Sequence, residues 1–139
     1  MRLISHRGNV FGPDPKNENN PDRINTLLNS GLDCEIDLWK VNNEFYLGHH
    51  EPHYKVGRNF LCKSNLWIHA KNFDALHALP SDAKFFWHQG DDFTLTSNGL
   101  IWTFPSKAVG EKSIIVDNNR NWRDKNYNCF AVCTDYVFT

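Results

Sequence analysis

A short apolar run at the N-terminus is followed by His6, Arg7 and Gly8. Glu35 and Asp37 alternate along a second run, His49 ends a third, and His69 and Lys71 end a fourth. This ordered series contains what metal-assisted chemistry on a phosphate group needs. Imidazoles titrate near neutral pH, so His6 and His49 are suited to act as a base and an acid. Paired carboxylates are hard oxygen ligands for Mg²⁺ or Ca²⁺. Arg7 offers a planar fork and Lys71 a point charge for phosphate oxygens, and Gly8 lets backbone come close to an anion.

Within Cys34-Glu35-Ile36-Asp37-Leu38 the side chains of a strand alternate. Cys34, Ile36 and Leu38 therefore share one face, with Glu35 and Asp37 on the other, about 7 Å apart at Cα. Two carboxylates directed into a protein interior are unfavourable unless a cation lies between them; the alternative is an edge strand with a solvated acidic face. The run His49-His50-Glu51-Pro52-His53 leaves open whether His49 or His50 is the working imidazole.

These residues need elements to hold them. Arg2–Ser5, Leu32–Trp39, Phe45–Gly48, Leu66–Ala70, Lys84–Trp87, Leu100–Phe104, Ser113–Val116 and Cys129–Val137 read as eight strands, by alternation or by apolar runs between turn residues. Residues 9–20 are rich in Gly, Pro and Asn and read as a loop. Asn20 as N-cap and Pro21 at the first helical position predict a helix closed by Gly31. A second helix is predicted over Asn72–Leu79, ended by Pro80. Asn42-Asn43 reads as a turn and residues 50–65 as irregular.

The 139 residues suggest a single domain over 1–139, and a 40% hydrophobic fraction with five Trp and ten Phe gives an aromatic core. A net charge of −1 argues against an electrostatic nucleic-acid binder. No apolar segment is long enough to cross a bilayer, and the N-terminus lacks an apolar leader core. Cys34, Cys62, Cys129 and Cys133 form no Cys-x-x-Cys pair, so buried free thiols in a reducing cytoplasm are expected.

Eight strands in this order, with site residues at their C-terminal ends, predict a compact (β/α)8 TIM-type barrel with several outer helices reduced to loops. Parallel sheets need both faces covered, so a homo-oligomer that shields the outward aromatics is a further expectation.

The residues resemble the glycerophosphodiester phosphodiesterase family and the wider phospholipase-C-like phosphodiesterase superfamily, as a short, divergent member. His6-Arg7-Gly8 matches the family's opening strand end. Gly31-Leu32-Asp33-Cys34-Glu35-Ile36-Asp37 matches its Gly-x-Asp-x-Glu-x-Asp segment. His49-His50 stands where the family has His-Asp, His69-Ala70-Lys71 where it has an acidic residue two before Lys, and Thr134-Asp135-Tyr136 matches a Thr-Asp-Tyr end. The resemblance implies a β/α barrel with one divalent metal held by Glu35, Asp37 and His69. Mg²⁺ or Ca²⁺ is the family expectation, and His69 in place of a carboxylate makes Mn²⁺ or Zn²⁺ more suitable. It implies His6 and His49 as the catalytic pair, favouring His49 over His50. Arg7 and Lys71 fall near the phosphate, and Trp102 lines the pocket by its position on the sixth strand. The implied activity is hydrolysis of a small phosphodiester or lipid head group. The second reading is a catalytically inactive barrel that binds a phosphate-containing ligand or a protein partner.

Overall fold

A computed structural model describes residues 1–139. It contains ten strands and two short helices. These are β1 (Arg2–His6), α1 (Pro21–Asn29), β2 (Asp33–Val41), β3 (Glu44–Leu47), β4 (Tyr54–Val56), β5 (Leu66–Ala70), α2 (Phe73–Ala78), β6 (Lys84–Phe86), β7 (Phe93–Leu95), β8 (Ile101–Thr103), β9 (Ser113–Val116) and β10 (Ala131–Thr134). Single 3-10 turns occupy Arg58–Cys62 and Trp122–Lys125.

The local signals explain the first half of the chain. The Asn20 side chain accepts a hydrogen bond from the Asp22 N–H at 3.0 Å, Pro21 opens α1, and Gly31 follows its end at φ +94°. Asn42 and Asn43 both take positive φ, 51° and 66°, the geometry of a two-residue hairpin turn whose twist suits the strands it joins. Asn72 caps α2 through the Ala75 N–H, and its side chain also bonds the N–H and C=O of Lys40, tying the helix to β2.

The expected (β/α)8 TIM barrel is not what forms. The ten strands make one curled, mixed sheet, a half-barrel. Its parallel series runs β6-β5-β2-β1-β10-β9-β8. The hairpin strands β3 and β4 extend β2, and β7 lies antiparallel on β8. No ladder joins β6 to β8. Ser97 links those edges instead: its N–H donates to the Phe85 carbonyl and its hydroxyl accepts from the Phe85 N–H. The reason lies in the connections. A parallel crossover needs about a dozen residues to carry a helix, and the segments that follow β6 (residues 87–92) and β8 (residues 104–112) are shorter than that. Two strands, β4 and β7, were not legible, because Tyr54–Val56 and Phe93–Leu95 are short and flanked closely by polar and turn residues.

The sheet has two apolar faces. Cys34, Ile36 and Leu38 of β2 join Ile68 and Ala70 of β5 beneath Ile24 and Leu28 of α1 and Ala75 of α2. Complete burial of each large aliphatic side chain contributes about 1.5–3 kcal/mol. Inside the curl, Ile4, Trp67, Phe86, Trp102, Ile114, Ala131 and Cys133 pack together. Where no helix covers the outer side of β9 and β10, Trp122 does, packed on Ile115 and Val132 with its indole N–H on the Tyr136 carbonyl at 3.0 Å. All four cysteines are free. Cys34 and Cys133 are buried, with the Cys34 thiol pushed up to about 12 by burial first, whereas Cys62 is exposed.

Candidate active site

The side chains that continue the inner face of the curl past its apolar layer are polar. Period-two alternation places Glu35 and Asp37 above Asp33 on β2, and His69 above Trp67 on β5. Parallel pairing sets Asp37 beside His69 and His6 beside Glu35. The strands β1, β2 and β5 thereby converge their C-terminal halves on one point.

At that point one ligand atom each from Glu35, Asp37 and His69 lies within 4.8 Å of the others. Both carboxylates are buried, and Glu35 Oε1 and Asp37 Oδ1 have no hydrogen-bond partner. His69 Nε2 lies 3.0 Å from the His88 carbonyl. A carbonyl only accepts, so Nε2 carries the proton. In neutral imidazole Nδ1 then aims a lone pair at Asp37 Oδ1, 3.2 Å away. A lone pair against a carboxylate oxygen is repulsive unless a proton or a metal ion sits there. Two unpartnered carboxylate oxygens and one imidazole nitrogen thus form a donor set that fits a divalent cation.

Asp37 organises the rest. Asn19 grips it from both ends, donating Nδ2–H to Oδ2 at 3.0 Å and accepting from the Asp37 N–H at 2.9 Å. Arg7 Nε lies 3.3 Å from the same Oδ2 and His49 Nδ1 lies 3.5 Å from it. Burial alone would raise the Asp37 pKa, but His49, His69 when its Nδ1 is protonated, and Arg7 hold it well below the usual range. Glu35 moves the other way, raised first by burial and then by the charge of Asp37. One carboxylate is pushed toward ionisation and its neighbour toward protonation, the pattern of two like charges sharing one desolvated site.

Arg7 sits at φ 59° and Gly8 at φ 88°, a left-handed pair that turns the chain off β1. The strained turn folds the Arg7 guanidinium back over the site, where one nitrogen lies 3.4 Å from His49 Nε2. Arginine only donates, so His49 Nε2 accepts and its Nδ1–H faces Asp37. Gly8 has a second reason to be glycine: a Cβ there would lie 3.0 Å from Ile24 Cδ1, where α1 packs down.

His6 is fixed by Asp135, which follows β10. Its Nδ1–H donates to Asp135 Oδ1 at 2.8 Å, and Asn9 donates to the same oxygen at 2.9 Å. Burial lowers the His6 pKa, but Asp135 and the field of Glu35 outweigh it and the net movement is up. Asp135 is correspondingly lowered, its burial overcome by the His6 bond. His6 Nε2 is left to face the pocket.

These groups open onto a cavity of about 510 Å³. His6, Arg7, Glu35, His49, His69 and Lys71 line it, as does Trp102, while Asp37 lies beneath its surface. His50 does not line it. It faces a separate polar pocket of about 390 Å³ on the far side of Arg7 and His49, with its ring edge-on to His49 at 4.4 Å.

Sequence reasoning did not assign Asp135, Asn9, Asn19 or His88 to the site. Asp135 carried a signal, a carboxylate at the end of the last strand. Asn9 and Asn19 lie in a stretch legible only as loop. His88 enters through its backbone carbonyl, which no sequence pattern marks. No helix is long and apolar enough to cross a membrane. Comparison with known protein families, curated proteins and solved structures finds no match.

Proposed function

We propose that the chain is a metal-dependent phosphodiester hydrolase acting on a small diester or lipid head group, with His49 as general base and His6 as general acid. One observation carries the reading: buried Glu35 Oε1 and Asp37 Oδ1 lack partners beside His69 Nδ1, under a cavity rimmed by imidazoles and cations. A cation bound by these three residues would offset charge on a phosphoryl oxygen. The nitrogen of His69 in the donor set favours Mn²⁺ or Zn²⁺ beside Mg²⁺.

The protein's own groups divide the remaining work. Arg7 and Lys71 donate to the non-bridging phosphate oxygens, where negative charge develops. As Arg7 turns to the phosphate it releases His49 Nε2, which takes the proton of the attacking water or neighbouring substrate hydroxyl as the new P–O bond forms. His6, whose hold on its proton is strengthened by Asp135, delivers its Nε2 proton to the leaving alkoxide as the old P–O bond breaks. The charge of Asp37, 3.5 Å from His49 Nδ1, favours a proton on that nitrogen, and Asp135 fixes the His6 tautomer through a direct bond.

The test is turnover of a panel of glycerophosphodiesters, lysophospholipids and a chromogenic diester with Mg²⁺, Ca²⁺, Mn²⁺ or chelator, with products followed by phosphorus NMR. We expect metal-dependent hydrolysis that falls about 10²-fold or more in His6→Ala and in His49→Ala, the size of a general acid–base contribution. No turnover with any metal by the folded protein would refute the hydrolase reading in favour of a protein that only binds a phosphate-containing ligand.

A further inference from the structure

The cavity has two unlike walls. The ends of β1, β2 and β5 supply the charged wall described above. Strands β6 and β8 and the segments leaving them supply Phe86, Trp87, His88, Trp102 and Phe104. Phe86 is the link between them. Its ring stacks on His69 at 5.0 Å and 17°, and on Trp102 at 4.1 Å and 21°. Three near-parallel rings thus run from the carboxylate–imidazole cluster into the far side of the cavity. Phe86 and Trp102 are themselves buried, but Trp87 is 36% and Phe104 45% exposed at its rim. Gln89 and Asn118 line the same cavity; Asn118 accepts from the Asp135 N–H through Oδ1, which leaves its amide N–H groups free.

We infer that this wall binds a flat aromatic substituent of the phosphodiester, a nucleobase or a simple aryl group, with its phosphate held at Arg7 and Lys71. Four of the six hydrophobic lining residues are aromatic. Alkyl chains are served equally well by aliphatic side chains, whereas ring faces offer offset stacking to a planar partner. A polyol substituent would leave Trp87 and Phe104 wet and gain nothing from them. A cavity of this size holds a phosphate together with one ring system. The free amides of Gln89 and Asn118 can bond the polar edge of a nucleobase and give a simple aryl group nothing, so the two sources differ in affinity. The inference rests on the proposed phosphate site and deepens it by naming the substituent.

The experiment is calorimetric binding of phenyl phosphate, adenosine 5′-phosphate and glycerol 3-phosphate to the full chain with Mn²⁺, repeated with Phe104→Ala and Phe104→Leu. Phe104 is exposed, so both variants should fold, and thermal unfolding checks this. We expect the aromatic ligands to bind roughly five- to a hundredfold tighter than glycerol 3-phosphate, the size of one stacking contact. Phe104→Ala removes most of that difference, Phe104→Leu removes part of it, and glycerol 3-phosphate binds all three proteins alike. Tighter binding of adenosine 5′-phosphate than phenyl phosphate identifies a nucleobase; the reverse order identifies an aryl group. Equal affinity for all three ligands, or an aromatic preference that both variants retain, overturns the inference. Aromatic-selective binding without turnover of any diester would leave it standing while the hydrolase reading fails.

Discussion

Glu35→Gln should move stability in opposite directions with and without metal. Glu35 Oε1 is buried without a partner, and its ligand atom lies within 4.8 Å of that of Asp37. At that distance and an effective dielectric constant of about 20, two unit negative charges repel by about 3.5 kcal/mol. His6, Arg7 and His69 offset part of this, and proton uptake by Glu35 caps the remainder. Glutamine has the same shape and no charge, so the metal-free protein should gain about 1–2 kcal/mol. For a chain of this size that is a rise in Tm of roughly 3–6 °C. The wild type should gain about 2.7 kcal/mol from a divalent ion at a hundred times its Kd, roughly 8 °C, and the variant should lose most of that. Scanning calorimetry in chelator and in Mn²⁺ reads both changes. The pH dependence adds a third arm. A carboxyl raised above its ordinary 4.5 binds more protons folded than unfolded, so metal-free stability falls as pH rises from about 4.5 through the folded pKa. That slope should vanish in Glu35→Gln, leaving the like-signed slope of His6, which starts near 6.5. A lower Tm for the variant in chelator, with an undiminished metal shift, would refute the argument that these carboxylates await a cation.

Asp135→Asn should lower turnover about tenfold or more and move the alkaline limb of the kcat profile to lower pH. Asp135 helps raise His6, and the acid works only while protonated, so an unmoved limb would argue against His6 as the acid. Asn19→Ala should cost about 2–4 kcal/mol by urea midpoint, because two buried bonds to Asp37, one of them to its carboxylate, are lost at once; a change under about 1 kcal/mol would show that Asn19 does not hold Asp37. Gly48→Ala would place a Cβ 1.9 Å from the Glu51 carbonyl oxygen. The loop bearing His49 must shift, and we expect a loss of about 1–3 kcal/mol together with reduced turnover; wild-type stability and rate would show that the loop yields freely.

Acid should act on the remaining carboxylates in the opposite sense to Glu35. Asp37 and Asp135 titrate below their ordinary 3.8 when folded, so their stabilisation is complete above that value and is lost as pH falls through the folded pKa. Together with Glu35 and His6, this sets a stability maximum on the acidic side of neutrality for the metal-free chain.

The sequence by itself determined what depends on near neighbours. Asn20-Pro21 and Asn72 started the two helices, Asn42-Asn43 made the hairpin, and alternation in β2 put Glu35 and Asp37 opposite Ile36 and Leu38. Each of these is decided within a few residues by capping, turn geometry or the pleat. The sequence also brought out the residues of the cavity's charged wall, His6, Arg7, Glu35, His49, His69 and Lys71, because side chains at the C-terminal ends of parallel strands share one rim. Only the tertiary structure decided the sheet's closure. Eight apolar runs are compatible with a full barrel, but closure depends on whether each connection can carry a helix and whether the last edges pair, and here Ser97 bridges an edge that no ladder closes. Tertiary structure alone also brought Asp135 to His6 across 129 positions of chain, Asn19 onto Asp37, and the His88 carbonyl onto His69. With the Arg7 contact to His49, those contacts set the imidazole tautomers on which the proposed acid and base rest, through distances between elements that no local pattern encodes.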